Sequence, residues 1–77
     1  MSDLDFNAFS KKYSLVISDL EKRLSTKEAK AKLAKTLYLD AVNKKINMDQ
    51  LMTDVRLFYQ GNTLSQFKLN QYVKRYK

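Results

Sequence analysis

The chain has 77 residues, and its 15 Lys and Arg against eight Asp and Glu give a formal net charge of +7. It contains no Cys and no His, so disulfides are excluded and a structural zinc site lacks its usual ligands. A chain of this length predicts a single helical domain, 1–77, held together by helix packing.

Hydrophobic side chains recur at helical spacing along most of the sequence, which has no Pro and one Gly. The first predicted helix spans about 3–24 and begins with a capping box formed by Ser2 and Asp5. Its apolar stripe consists of Phe6, Phe9, Tyr13, Val16, Leu20 and Leu24. We therefore expect one long amphipathic helix at the start of the chain.

The second predicted helix spans about 26–45 and begins at a capping box formed by Ser25 and Glu28. Its apolar face consists of Ala31, Ala34, Leu37, Tyr38, Ala41 and Val42. The three alanines on this face indicate that a neighbouring helix approaches closely.

The third predicted helix spans about 48–60, and its start is well specified. Asn47 is a suitable N-cap, Gln50 completes a capping box, and Ile46 and Leu51 occupy the positions of a hydrophobic staple. Gly61 then supplies a left-handed residue at the C-terminal end of this helix.

The fourth predicted helix spans about 64–76 and begins at a capping box formed by Thr63 and Gln66. Leu69, Tyr72, Val73 and Tyr76 form its buried face. Leu64 and Phe67 fall on the opposite side of this helix, together with Lys68, Lys74 and Arg75. We expect Leu64 and Phe67 to pack inside the fold; if exposed, they would bind a partner protein or a second copy.

Four helices joined by very short turns predict an all-α fold, a compact antiparallel four-helix bundle. The missing His and Cys remove the commonest general base and the thiol nucleophile, and a single Gly makes no phosphate-binding loop. We therefore expect a non-enzymatic protein without cofactor or metal. The longest apolar run is Leu15-Val16-Ile17, and the acidic N-terminus does not resemble a signal peptide, so we expect a cytoplasmic protein without a transmembrane segment.

Positive charge is concentrated in segments 22–45 and 62–77, with net charges of +6 and +4. Cations interleaved with aromatic residues suit nucleic acid, because cations neutralise phosphates while rings contact sugar or base. Our first interpretation is a small DNA-binding protein of the phage or plasmid type. Its candidate contact residues are Leu64, Gln66, Phe67, Lys68, Lys74, Arg75 and Lys77 near the C-terminus and Lys32 and Lys35 in the second helix.

The helices on either side of Gly61 have the outline of a helix-turn-helix motif, in which the second helix enters the DNA groove. The groove-facing polar residues would then be Asn62, Thr63, Ser65, Gln66, Lys68 and Asn70. This outline is common to many helical hairpins.

The alternative interpretation is a protein-interaction module, such as an inhibitor, an adaptor or a scaffolding protein. It would dock on an acidic protein surface through its C-terminal helix, with Leu64 and Phe67 as apolar contacts, and it could also form a homodimer.

The stretch Leu37–Gln60, with Asn43-Lys44-Lys45-Ile46 between two helices, resembles the bacteriocin immunity proteins of Gram-positive bacteria. The basic charge and helical architecture of the chain are also similar to theirs. The resemblance implies an intracellular four-helix bundle whose C-terminal part determines which bacteriocin is neutralised.

Overall fold

The computed structural model describes residues 5–77, and within this range the protein is all-α, with five helices and no strand. The helices are α1 (Phe6–Lys12), α2 (Ser14–Arg23), α3 (Lys27–Val42), α4 (Met48–Tyr59) and α5 (Leu64–Lys74). The predicted all-α class is confirmed, whereas the predicted count of four helices is wrong. Between residues 5 and 77, no helix has both the length and the apolar character needed to cross a bilayer.

The first predicted helix is divided at Tyr13 into α1 and α2. Tyr13 has φ −109° and ψ 26°, outside the usual helical values, although its amide still bonds to Phe9 O at 3.0 Å. The apolar spacing continues through the break, so periodicity alone predicted one helix. Asp5 is the N-cap of α1 and accepts a hydrogen bond from Ala8 N at 2.7 Å, while the predicted cap at Ser2 lies outside the described residues.

The starts of α3 and α4 agree only in part with the predicted capping residues. Thr26, not Ser25, caps α3, because its Oγ1 accepts a hydrogen bond from Ala29 N at 3.1 Å. Asn47 caps α4 as predicted, accepting from Gln50 N at 3.1 Å.

The predicted capping box of the last helix is also wrong. Thr63 makes no capping bond with its side chain, and its backbone is already helical. The Oδ1 atom of Asn62 accepts a hydrogen bond from Leu64 N at 3.0 Å instead. An Asn side chain that bonds two residues ahead forms a turn, and this turn leads into α5.

The C-terminal ends of α3 and α4 are built in the same way, with a left-handed residue after the helix. Lys44 has φ 60° and Gly61 has φ 99°. In each turn the next amide bonds back to a carbonyl five residues earlier, at Asp40 O (2.8 Å) and Leu57 O (3.0 Å). This turn ends α3 at Val42, three residues before the predicted end.

A single cluster of buried side chains draws on all five helices. Its members are Phe9, Tyr13, Val16, Leu20, Leu24, Leu33, Leu37, Met48, Leu51, Val55, Leu69, Val73 and Tyr76. The predicted faces of the first and fourth helices supply most of them.

The predicted apolar face of α3 is partly wrong. Leu33 is buried, whereas Ala31 and Val42 are exposed. Burying a Leu side chain releases more free energy than burying Ala, so α3 turns Leu33 and Leu37 inward. The alanines therefore do not define the face of this helix.

The two left-handed residues give opposite predictions for stability. Lys44→Gly should raise the free energy of unfolding by about 0.5–1 kcal/mol, because Gly adopts positive φ without the steric strain of a side chain.

Gly61→Ala should lower the free energy of unfolding by about 1 kcal/mol. No atom lies within 4 Å of an added Cβ, so the loss of stability comes from the positive φ alone. Urea unfolding of the two variants checks both values, and a loss of stability in Lys44→Gly would contradict the argument.

Candidate interaction surface on the C-terminal helix

The buried face of α5 fixes its orientation. Leu69 and Val73 are almost completely buried, and Tyr76, just beyond the end of the helix, is also buried. The helix packs most extensively on α4 and also contacts α2. The opposite side of α5 is therefore presented to solvent.

That solvent side carries two large apolar residues. Leu64 is 71% exposed and Phe67 is 60% exposed, so the expectation that they pack inside the fold is wrong. The described helices cover α5 on one side, and these two residues lie on the other. An apolar face at helical spacing shows which residues share a side, but it does not show whether a neighbouring helix covers that side.

Six exposed residues share this side, within an arc of about 120° at 100° per residue. We call them the α5 stripe: Leu64, Phe67, Lys68, Gln71, Lys74 and Arg75. The apolar pair lies at the N-terminal end of the stripe, and two of its three cations lie at the C-terminal end. Gln71 was not among the predicted contact residues, although its position four residues after Phe67 places it on the same side.

The stripe lies in a strongly positive part of the chain. Segment 55–77 contains no Asp or Glu, and its five cations are Arg56, Lys68, Lys74, Arg75 and Lys77. The stripe therefore combines an exposed apolar contact with a field that attracts negative charge.

Hydrogen bonds to Asp40 tie the end of α5 to α3. Tyr76 Oη donates to Asp40 Oδ2 at 2.8 Å, and Arg75 Nη2 lies 3.4 Å from the same oxygen. Burial, reinforced by the hydrogen bond to Asp40, raises the pKa of Tyr76 well above its usual value. The hydroxyl therefore stays protonated and remains a donor over the ordinary pH range.

A second polar cluster ties α5 to α2 and α4. Asp19 is buried and accepts hydrogen bonds from Arg23 Nε at 2.9 Å and Tyr59 Oη at 3.1 Å. Arg23 also donates to Asn70 Oδ1 at 3.1 Å and lies 4.8 Å from the centre of the Phe58 ring. One signal for this cluster is visible in the sequence, the spacing of four residues between Asp19 and Arg23.

A polar cleft of about 660 Å³ between α4 and α5 borders the stripe. Gln50 and Asp54 of α4 contribute to it, and Gln50 Nε2 donates to the almost fully buried carboxylate of Asp54 at 3.3 Å. Tyr72 also lines the cleft. Burial raises the pKa of Tyr72, and the negative charge of Asp54 raises it further. Lys68, Gln71 and Arg75 belong to both the cleft and the stripe.

The remaining predicted contact residues lie in different places. Lys32 and Lys77 line a small depression of about 160 Å³ together with Arg75, so the two basic segments meet there. Lys35 lies beside α1, with its ammonium 5.1 Å from the centre of the Phe6 ring. Gln66 is partly buried and falls outside the α5 stripe.

Two of the six residues that would face the groove in a helix-turn-helix do not present free polar groups to solvent. Ser65 is only 4% exposed, so it faces the interior and not a DNA groove. Asn70 is exposed, but its side-chain oxygen is bonded to Arg23. Ser65 was predicted to be exposed because it is polar. A small hydroxyl residue, however, fits on the buried side of a helix as well as on the exposed side.

Tyr76→Phe removes the hydroxyl donor to Asp40 and keeps the ring. We expect the free energy of unfolding at neutral pH to fall by about 1–2 kcal/mol, as for a hydrogen bond to a charged group. Because the pKa of Tyr76 is raised in the folded state, this stabilisation is complete below the unfolded value near 10 and is lost at higher pH. Urea unfolding at neutral pH and at about pH 11 should show a larger loss for the wild type than for Tyr76→Phe; equal losses would refute the assignment.

Comparison of the chain with protein-family models, with curated proteins and with solved structures gives no match. The likeness of Leu37–Gln60 to bacteriocin immunity proteins therefore stays a prediction from sequence. The function has to be argued from the geometry and charge of the α5 stripe.

Proposed function

We propose that the protein is a non-enzymatic interaction module that binds an acidic protein surface through the α5 stripe. The observation that carries this proposal is the exposure of Leu64 (71%) and Phe67 (60%) on one side of a helix that also presents three cations. Exposed apolar groups rimmed by polar residues are typical of protein-binding sites. Inhibitors, adaptors and scaffolding proteins, including immunity-type proteins, are the functional classes that work in this way, and we place this one in the cytoplasm.

The apolar pair would anchor the partner. Burying a Leu or Phe side chain contributes about 1.5–3 kcal/mol, and Leu64 and Phe67 are three residues apart, so one partner pocket can cover both. Aromatic anchors near the centre of an interface commonly dominate its binding energy. Phe67 is therefore the residue whose removal should weaken binding most.

The charge of the stripe determines the kind of partner. Lys68 and Lys74 lie on the stripe and form no ion pair among the described residues, whereas Arg75 pairs with Asp40 at 3.4 Å. A partner with acidic residues would associate quickly and in one orientation. A second copy that presented the same segment would bring like charges together, so the charge favours a different protein over a homodimer.

Site-specific photo-crosslinking in cells tests the proposal. A photoreactive phenylalanine at position 67 or 71 should capture one discrete protein with a net negative charge. The same group at Leu15, an exposed apolar position on α2, is the matched control and should not capture that protein. Capture of a second copy of the chain, capture of nucleic acid, or equal capture from position 15 would contradict the proposal.

Variants then measure the contribution of each contact to the affinity for the captured partner. Phe67→Ser should weaken binding by about thirtyfold, the effect of a typical hot-spot residue. Lys74→Glu should mainly slow association, and Lys12→Glu on α1 should have little effect. All three positions are exposed, and the free energy of unfolding should fall by no more than about 1 kcal/mol, the usual effect of placing Glu in the last turn of a helix as Lys12→Glu and Lys74→Glu do.

Nucleic-acid binding of the phage or plasmid type is a second candidate, and one observation favours it. Lys32, Arg75 and Lys77 line the same depression, so cations from the two basic segments are close enough to contact neighbouring phosphates. These contacts would be largely independent of sequence, because they involve the phosphate backbone and not base edges.

Titration of a fluorescent DNA duplex at several salt concentrations tests this second candidate. Affinity should fall with salt, and Lys32→Gln and Lys77→Gln should each reduce the logarithmic salt slope by about one. Lys12→Gln is the control for an exposed cation outside the depression. Absence of binding at low salt, or an equal effect of all three variants, would refute nucleic-acid binding at this depression.

A further inference from the structure

A second cavity, of about 530 Å³, is lined by no residue of the α5 stripe. It forms where α1, the end of α3, the turn 43–47 and the start of α4 meet. Cavities of about 300–1,000 Å³ are the usual size of small-molecule sites. Because the cavity and the stripe share no residue, a ligand in the cavity can be tested independently of the proposed function.

Three aromatic side chains are among the residues that line this cavity. Phe9 and Tyr13 are buried and have ring centres 5.0 Å apart, and the ring of Tyr38 lies 5.3 Å from that of Phe9. Val42 and Ile46 extend the apolar lining, and Val42 remains 48% exposed. Such a lining is complementary to a hydrocarbon chain.

The mouth of the cavity is basic. Lys44 and Lys45 are consecutive, exposed and part of its lining. Asp49 is the one acidic residue among the described lining residues, and its Oδ1 already accepts a hydrogen bond from Tyr13 Oη at 3.3 Å. The charge at the mouth therefore complements one anionic group.

The backbone at Lys44 supplies a second observation. Its φ of 60° is left-handed, a conformation that strains a residue with a side chain. The equivalent turn after α4 has Gly61 at this position, which avoids the strain. Strained residues are concentrated at binding sites, and this one places a cationic side chain at the mouth of the cavity.

We propose that this cavity binds an amphipathic monoanion of the fatty-acid class. The hydrocarbon chain packs against Tyr38 and Val42, and the carboxylate lies between the ammonium groups of Lys44 and Lys45. A multiply charged ligand such as a nucleotide fits less well, because two lysines and Asp49 leave a single net positive charge among the described lining residues.

The test is a titration of the protein with dodecanoate, followed by amide chemical shifts. Shifts should be confined to residues around the cavity, such as Ala41, Ile46 and Met48, with a micromolar dissociation constant. Dodecanol has the same chain without the charge and should bind about tenfold more weakly, and dodecyltrimethylammonium should bind still more weakly. Equal binding of the alcohol and the carboxylate, or shifts centred on α5, would overturn the proposal.

Lys44→Gly is an informative variant, because it relieves the backbone strain while removing the cation. We expect its affinity for dodecanoate to fall about fivefold to tenfold, with no change for dodecanol. Lys68→Gln on the α5 stripe is the matched control and should leave both affinities unchanged. Undiminished dodecanoate binding by Lys44→Gly would refute the site, and photo-crosslinking from position 67 would be unaffected by that result.

Discussion

The burial of Leu69 and Val73 is the interaction on which the C-terminal half of the structure depends. These two side chains fix which side of α5 faces the core. The helical geometry then determines whether each other residue of α5 faces the core or solvent. The exposure of Leu64 and Phe67 is thus a consequence of core packing at two other positions. Because the sequence has no Cys to form a disulfide, hydrophobic packing carries most of this role.

Two aspartates reinforce this packing in the same manner. Asp19 accepts hydrogen bonds from Arg23 and Tyr59, and Asp40 does so from Arg75 and Tyr76. Each carboxylate therefore joins one arginine and one tyrosine and links helices that are distant in sequence. Buried carboxylates are tolerated when they are paired and hydrogen-bonded in this way.

The sequence predicted the features that follow from local spacing. Helical periodicity identified most core positions of α1, α2 and α5, and turn chemistry identified the Asn47 cap and the left-handed Gly61. It missed the break at Tyr13 and the early end of α3 at Lys44, because both are changes in backbone conformation at a single residue. It also misplaced Leu64 and Phe67, since tertiary packing decides whether a second apolar side is covered. Five of the six residues of the α5 stripe were nevertheless predicted to share one side, and Gln71 was missed.

Hydrogen bonds within the fold occupy the carboxylates of Asp19, Asp40 and Asp54, and this affects how selectively the protein can bind other molecules in a cell. Acidic groups that bond within the fold leave many Lys side chains exposed, so the outer surface attracts polyanions of every kind, including abundant RNA. The partner that we propose would therefore compete against a large excess of weak electrostatic binders. Charge would select only for a negative surface, and the exposed Phe67 ring would add the discrimination, because polyanions in general lack a complementary apolar pocket.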